Sequence, residues 1–190
     1  MGTLKITGGY LVNQTILIPE KIHCPRLRPL NERFRKNLFS ILNKHLHASD
    51  ILDLFSGSGI LGFESLSRGA STVTSIESNN KCSMSIIQNI KELKIHNRYR
   101  IISQDILLST FPQTKFHIIF IDPPFSLQLP QTFWNKIIPI SFLDTIIILR
   151  QKSFTAFTCP KFLSIAFHQK YSENTIFFLK INPTTTSKLL

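Results

Sequence analysis

The chain has 190 residues, of which 43% are hydrophobic, so it can form one domain with a substantial apolar core and is not a disordered segment or a small disulfide-stabilised fold. Its 22 Lys and Arg residues outnumber 11 Asp and Glu residues, and the formal net charge of +11 favours a polyanionic partner such as nucleic acid. No apolar run is long enough to span a bilayer and no secretory signal is recognisable, so we expect a cytoplasmic protein that does not contact a membrane.

The first 48 residues are predicted to form an N-terminal extension. Leu4 and Ile6 alternate with polar neighbours, Gly8-Gly9 provides a turn, and residues 10–18 predict the returning strand of a hairpin. A basic loop with prolines follows over residues 20–29, and a helix is predicted from about Asn31. The cations of this segment are Lys21, Arg26, Arg28, Arg33, Arg35, Lys36 and Lys44, against a single acid, Glu32. We expect four of them to bind the phosphates of a nucleic-acid substrate: Arg26, Arg28, Arg33 and Lys36.

From residue 49 onward, strands and helices alternate along the chain. This alternation predicts an α/β fold with a doubly wound sheet, in which a ligand binds at the carboxyl ends of the strands. We therefore assign residues 1–48 to the extension and residues 49–190 to the main domain. Strands are predicted over residues 51–55, 72–76, 100–103, 117–121 and 144–149, helices over 59–68, 79–93 and 132–138, and a terminal antiparallel pair over 162–167 and 175–181.

A Gly-rich turn follows the first strand of the main domain and reads Asp53-Leu54-Phe55-Ser56-Gly57-Ser58-Gly59-Ile60-Leu61-Gly62. A strand before it and a helix after it are the context of a nucleotide-type fingerprint, in which glycines let the backbone approach a bulky ligand. Glu77 ends the next strand, where a carboxylate accepts hydrogen bonds from ribose hydroxyls. These features fit either a nicotinamide dinucleotide or S-adenosylmethionine.

Asp53 distinguishes between these two cofactors. It lies inside the strand, where dinucleotide-binding folds usually carry an apolar residue. A carboxylate there attracts the cationic amino group of a methionine moiety and repels a pyrophosphate. Asp105 follows the third strand and is expected either to bind the adenine amino group or to cap a helix. The residues predicted to bind S-adenosylmethionine are Asp53, Phe55, Gly57, Gly59, Gly62, Glu77 and Asp105.

A second motif, Asp122-Pro123-Pro124-Phe125, follows the fourth strand. Asp122 can accept a hydrogen bond from an exocyclic base amine, and the prolines stiffen the turn so that the Pro123 carbonyl is directed into the same site. Phe125 offers a ring face on which a base can stack. Because an amine conjugated to a purine is a poor nucleophile, orienting it beside acceptors is what a protein can contribute to its methylation. We therefore predict Asp122, Pro123 and Phe125 as the catalytic residues.

Taken together, these motifs resemble the RsmD family, the bacterial 16S rRNA (guanine-N2)-methyltransferases. The resemblance implies a class I, Rossmann-like S-adenosylmethionine-dependent methyltransferase with a seven-stranded sheet that ends in a C-terminal antiparallel hairpin. It further implies a guanine in 16S ribosomal RNA as the target, either free or in an assembling small subunit, and a monomeric enzyme. The likeness runs through Ile6-Thr7-Gly8-Gly9, Leu27-Arg28-Pro29, Arg33-x-Arg35, the Gly-rich turn, Glu64, Ser67-Arg68-Gly69-Ala70, Glu77 and Asp122-Pro123-Pro124-Phe125.

Three alternatives stay open at this point. An adenine-N6 methyltransferase acting on DNA or RNA would share both motifs. An NAD-dependent oxidoreductase would share the Gly-rich turn but would leave Asp122-Pro123-Pro124-Phe125 without a role. A non-catalytic RNA-binding module would explain the positive charge but not the three acids Asp53, Glu77 and Asp122. The three cysteines and six histidines lack the spacing of a disulfide framework or a zinc site, so we expect no metal.

Overall fold

The computed structural model describes residues 2–20, 24, 30–108 and 110–183. Most elements lie within a few residues of their predicted positions. The helices are α1 (Glu32–Leu46), α2 (Ile60–Ser67), α3 (Asn80–Glu92) and α4 (Gln131–Asn135), with a 3₁₀-helix at Ile138–Ile140. The strands are β1 (Gly2–Lys5), β2 (Thr15–Ile18), β3 (Asp50–Leu54), β4 (Thr72–Glu77), β5 (Tyr99–Ser103), β6 (Phe116–Ile121), β7 (Ser141–Lys152), β8 (Leu163–Tyr171) and β9 (Asn174–Ile181).

The central sheet has seven strands in the order β5-β4-β3-β6-β7-β9-β8. The five strands from β5 to β7 are parallel, whereas β9 runs antiparallel to both β7 and β8. This topology confirms the predicted doubly wound α/β fold with a C-terminal antiparallel hairpin. The strand order reverses between β3 and β6, and such a switch point opens a crevice at the carboxyl ends of the strands.

Side chains of the sheet alternate between two hydrophobic clusters. Ile51 of β3 and Phe120 of β6 pack with α1, α2 and α3 on one face. Their neighbours Leu52 and Ile121 pack on the other face with Trp134 of α4. Because successive residues of a strand point to opposite faces, a sheet covered on both sides has the nearly continuous apolar strands seen in this sequence.

Two predicted elements are shorter than expected. The helix predicted over residues 132–138 ends at Asn135, and the chain continues as a 3₁₀-helix that contains Pro139. The returning strand predicted over residues 10–18 begins only at Thr15. The amides of Tyr10 and Leu11 instead donate to the carbonyl and the hydroxyl of Ser67 at 2.8 and 2.9 Å, so this segment is docked on the end of α2.

The N-terminal extension is joined to the main domain by a buried ion pair. Arg35 of α1 donates to Glu64 of α2 at 3.1 Å and to the carbonyl of Lys5 at 2.7 Å. Glu64 also accepts from the Thr7 amide at 3.0 Å and pairs with Arg68. Arg35 belongs to the basic segment but was not among the four cations predicted to bind phosphate, and its side chain is only 2% exposed. One hydrophobic cluster includes residues from both parts, so the division at residue 48 stays a prediction.

Candidate active site

A cleft of about 860 Å³ lies at the carboxyl ends of the central strands, at the switch point between β3 and β6. Its size is typical of a site for a small molecule or cofactor. The Gly-rich turn lies on one side, and the Asp122-Pro123-Pro124-Phe125 turn lies on the other. The predicted site residues that line it are Asp53, Phe55, Gly57, Glu77, Asp105, Asp122, Pro123 and Phe125.

The Gly-rich turn is fixed to the end of β4 by Glu77. One carboxylate oxygen of Glu77 accepts from the Gly57 amide at 2.7 Å, and the other accepts from the Asn79 amide at 2.8 Å. Phe55, Gly57 and Gly59 have φ values of 60°, 54° and 73°, so the turn enters the left-handed region three times. Two backbone donors thus orient the Glu77 carboxylate at the cleft, where its remaining lone pairs can accept from hydroxyl groups.

Gly59 and Gly62, two of the residues predicted to bind the cofactor, do not line the cleft. A Cβ atom built on Gly62 would lie 2.3 Å from the hydroxyl oxygen of Tyr99, and one on Gly59 would lie 2.9 Å from it. The Tyr99 hydroxyl is hydrogen-bonded to Ser75 at 2.8 Å and donates to the Gly59 carbonyl at 3.2 Å. These two glycines therefore let the turn and α2 pack against Tyr99 of β5, and their positions do not support direct cofactor contact by these residues.

Asp53 is a buried carboxylate at the floor of the cleft, with 1% of its surface exposed. Neither of its oxygens accepts a hydrogen bond of normal geometry from the residues that the structure describes. Burial raises the pKa of Asp53 well above its usual range, and the negative charges of Asp122 and Glu77 add to this effect. The nearby Gly62 amide opposes the rise in pKa but does not cancel it. A carboxylate in this environment is suited to pair with a cationic ligand group.

The position of Asp105 is compatible with both of the roles that the sequence left open. Its side chain accepts a hydrogen bond from the Leu107 amide at 2.8 Å, as a turn or helix cap does. It also lines the cleft, next to Gln104. Its position therefore permits contact with a ligand while the backbone turn after β5 holds it in place.

On the other side of the cleft, Asp122 forms an ion pair that the sequence did not predict. Its Oδ1 accepts from Nε of Arg150, on β7, at 2.5 Å. Burial raises the pKa of the Asp122 carboxyl, and the positive charge and hydrogen bond of Arg150 oppose this rise. Arg150 also lies over the ring of Phe125 at 5.1 Å, and Nζ of Lys152 lies 5.9 Å from the same ring. The signal for Arg150 and Lys152 was their place at the carboxyl end of a predicted strand.

The basic surface of α1 is separate from this cleft. Arg33 and Lys36 are exposed on the helix, and neither lines the cleft. Nζ of Lys36 lies 2.7 Å from a carboxylate oxygen of Glu32, one turn earlier. Arg26 and Arg28, the other two predicted substrate-binding residues, lie outside the described residues.

Two further observations concern metals and cysteines. In the part of the chain that the structure describes, no group of three or more His, Cys, Asp or Glu side chains is arranged to hold a metal ion. No helix in that part is long and apolar enough to cross a membrane. The sulfur atoms of Cys24 and Cys82 lie in contact, with the Cα atoms 6.8 Å apart, and the spacing of the cysteines did not predict this pairing. The fold brings Cys24 against Cys82 of α3, and these residues are 58 positions apart in the sequence.

Comparison with known proteins identifies the family. The sequence profile of the family described as conserved hypothetical protein 95 matches residues 4–180. The chain belongs to this family. A relative from Escherichia coli (strain K12), "Ribosomal RNA small subunit methyltransferase D", is 36% identical over 124 residues, which are 65% of this chain and 61% of the relative. These matches confirm the resemblance to the RsmD family, and the match spans about three-fifths of that relative's length.

Solved structures of similar proteins share the fold. A methyltransferase candidate from Escherichia coli superposes with a TM-score of 0.81 at 27% identity, covering 95% of this chain and 99% of its own. A more distant methyltransferase candidate, complexed with SAH (S-adenosylhomocysteine), has a TM-score of 0.58 at 14% identity and covers 75% of this chain and 49% of its own. The second likeness concerns the fold alone.

Proposed function

We propose that this protein transfers a methyl group from S-adenosylmethionine to the exocyclic N2 amine of a guanine in small-subunit ribosomal RNA. The proposal rests on one cleft that brings three features together. These are the buried carboxylate of Asp53, which has no hydrogen-bond partner among the described residues, the Gly-rich turn, and the Asp122-Pro123-Pro124-Phe125 turn. Membership of the family and the likeness to the Escherichia coli ribosomal RNA methyltransferase support the RNA substrate. We further propose that it acts in the cytoplasm, as a monomer and without a metal.

The cofactor half of the cleft suits S-adenosylmethionine better than a dinucleotide. The buried, unpaired carboxylate of Asp53 can pair with the cofactor's ammonium group, whereas it would repel a pyrophosphate. Glu77, held by two amides, can accept from the ribose hydroxyls, and Asp105 can bind the adenine amine. When bound, S-adenosylmethionine supplies an electrophilic methyl group on a sulfonium sulfur, which leaves with the electron pair of the broken C–S bond.

The other half of the cleft suits a base amine. Asp122 accepts one hydrogen of the amine and the carbonyl of Pro123 accepts the other, so that the nitrogen lone pair is directed away from these acceptors. Phe125 provides the ring on which the base stacks. As the new N–C bond forms, positive charge develops on the nitrogen, and the Asp122 carboxylate stabilises this charge and is available to receive the released proton.

Methyl transfer to small-subunit RNA tests this proposal directly. The purified chain is incubated with S-adenosylmethionine labelled on its methyl group and with small-subunit RNA or particles from cells that lack the relevant modification. We expect label in the RNA, with no NAD binding by calorimetry. Binding of NAD with an affinity equal to that of S-adenosylmethionine would favour the oxidoreductase alternative. Methylated adenine in the product would instead favour the adenine-N6 alternative.

A further inference from the structure

Arg150 and Asp122 form a partly buried ion pair at the catalytic side of the cleft. Asp122 directly follows β6 and Arg150 belongs to β7, and the neighbouring pair Ile121 and Leu149 are in register across these parallel strands. The side chains of Arg150 and Asp122 are 12% and 18% exposed, so water screens the pair less than it screens a surface ion pair. Removing one partner of such a pair leaves the other with an uncompensated charge in a poorly solvated site.

The guanidinium of Arg150 is held in place by more than the ion pair. It lies over the ring of Phe125 at 5.1 Å, which is a cation–π contact distance. The planar guanidinium packs on a ring and donates in a fixed direction, which an ammonium group does not do. Arg150 thus connects the first and last residues of the Asp122-Pro123-Pro124-Phe125 turn.

The contact leaves one oxygen of Asp122 for the substrate. Arg150 donates to Oδ1, and none of the described residues donates a hydrogen bond to Oδ2. Both residues also line the cleft. We propose that Arg150 is a positioning residue for methyl transfer, which orients the Asp122 carboxylate and keeps it ionised so that Oδ2 accepts from the base amine. This inference rests on the proposed function, because it assigns the substrate of Asp122 as a base amine.

The charges around Asp122 make this role necessary. Asp53 on β3 lies close enough to Asp122 that the negative charge of Asp122 raises the pKa of Asp53. On the α1 side, the apolar Phe34 and Leu38 line a small cavity together with Asp122 and Arg150. Burial favours protonation of Asp122, and Arg150 is the group that opposes it. A protonated Asp122 would donate a hydrogen to its surroundings and would be a weaker acceptor for the amine.

The test combines kinetics with a titration that requires no turnover. Arg150→Met is expected to lower kcat by about tenfold or more, because the group that stabilises the developing charge is no longer oriented. The acidic limb of its pH–rate profile should move to higher pH, since the pKa of Asp122 rises without the cation. Arg150→Lys keeps the charge but loses the planar donor, so the limb should stay near its wild-type position while kcat falls. Arg100→Met, at an exposed position on β5, is the matched control.

Carbon-13 NMR of the aspartate carboxyls measures the same pKa directly, with Asp122→Asn used to assign the signal. The signal of Asp122 should titrate at higher pH in Arg150→Met than in the wild-type protein. If the titration and the acidic limb are the same in both proteins, the inference is overturned. A wild-type protein that transfers no methyl group would refute the proposed function, and the titration would still show whether Arg150 controls the ionisation of Asp122. Circular dichroism melting confirms that each variant is folded, and the equally uncharged Arg150→Gln replaces Arg150→Met if the latter does not fold.

Discussion

The carboxylate of Glu77 bridges two backbone amides, accepting from Gly57 at 2.7 Å and from Asn79 at 2.8 Å. The Gly-rich turn after β3 and the start of α3 are therefore fixed to the same side chain. An ionised carboxylate is purely an acceptor and has about four lone-pair sites. The Glu77 carboxylate can therefore accept from both amides and also from a ligand hydroxyl. This arrangement makes Glu77 both a structural support and a ribose-binding candidate.

Replacing Glu77 should therefore weaken cofactor binding even when the substitute has the same shape. Glu77→Gln would place an NH₂ group against one of the two backbone amides, so we expect the Kd for S-adenosylhomocysteine to rise by about tenfold or more, the cost of leaving a buried polar group without its partner. Isothermal titration calorimetry measures this change. Glu92→Gln, on the exposed side of α3, is the control and should bind normally. Unchanged affinity in Glu77→Gln would remove Glu77 from the site.

Asp53 gives the protein a pH dependence of defined sign. Its pKa is raised, so the protein gains stability from the protonated form at low pH and loses that gain as pH rises through the folded-state pKa. A cationic ligand favours the ionised form, so affinity for S-adenosylmethionine should fall as pH is lowered through the same pKa. Asp53→Asn should raise the stability of the free protein at neutral pH by about 1 kcal/mol, since a buried charge is removed. The same substitution should lower the affinity for S-adenosylmethionine. Calorimetric titrations across pH, together with thermal melts, check both effects.

Gly62 should be required for packing and not for contact with the cofactor. A methyl group at this position would meet the Tyr99 hydroxyl oxygen at 2.3 Å, so Gly62→Ala should destabilise the fold by about 1–3 kcal/mol, as overpacking of a core does. Removing the hydroxyl in Tyr99→Phe should recover part of this loss, which a double-mutant cycle of melting measurements would detect. Purely additive effects of the two substitutions would contradict this explanation.

The cations of α1 should divide into two groups with different phenotypes. Arg33 and Lys36 are exposed, so their replacement by Gln should weaken RNA binding and flatten its salt dependence while leaving cofactor affinity intact. Arg35→Met should instead destabilise the fold by about 3–5 kcal/mol, because it leaves the buried Glu64 with one cation fewer. Filter binding at several salt concentrations and chemical denaturation separate these outcomes. An unchanged salt slope in the first pair would leave α1 with no role in RNA binding.

The local patterns of the sequence were sufficient to predict most of the fold. Asn31 does cap α1, accepting from the Phe34 amide, and the alternation of strands and helices gave the α/β topology. Periodicity and capping depend on residues near one another in the chain, so a single sequence displays them. The predicted returning strand of the hairpin was too long because the amides of Tyr10 and Leu11 bond to Ser67, more than fifty residues away.

The candidate site was predicted less completely, for the same reason. The acids Asp53, Glu77 and Asp122 stand next to recognisable turns, and the structure brings all three to one cleft. Arg150, by contrast, is 28 residues from Asp122, and their contact depends on the pairing of β6 with β7. Likewise, the space next to Gly62 of α2 is occupied by Tyr99 of β5, a strand that lies two positions from β3 in the sheet. Contacts of this kind depend on three-dimensional packing.

The most direct test of the central claim compares wild-type protein with Asp122→Ala in mass spectrometry of nucleosides from methylated small-subunit RNA. The wild-type protein should produce N2-methylguanine. Asp122→Ala should bind S-adenosylmethionine with nearly normal affinity. Its rate of methyl transfer should be lower by about a hundredfold or more, because the amine loses the carboxylate that stabilises its developing positive charge. Asp122→Asn, which keeps one acceptor, should retain part of the activity. Turnover by Asp122→Ala at the wild-type rate, or N6-methyladenine as the wild-type product, would contradict the account.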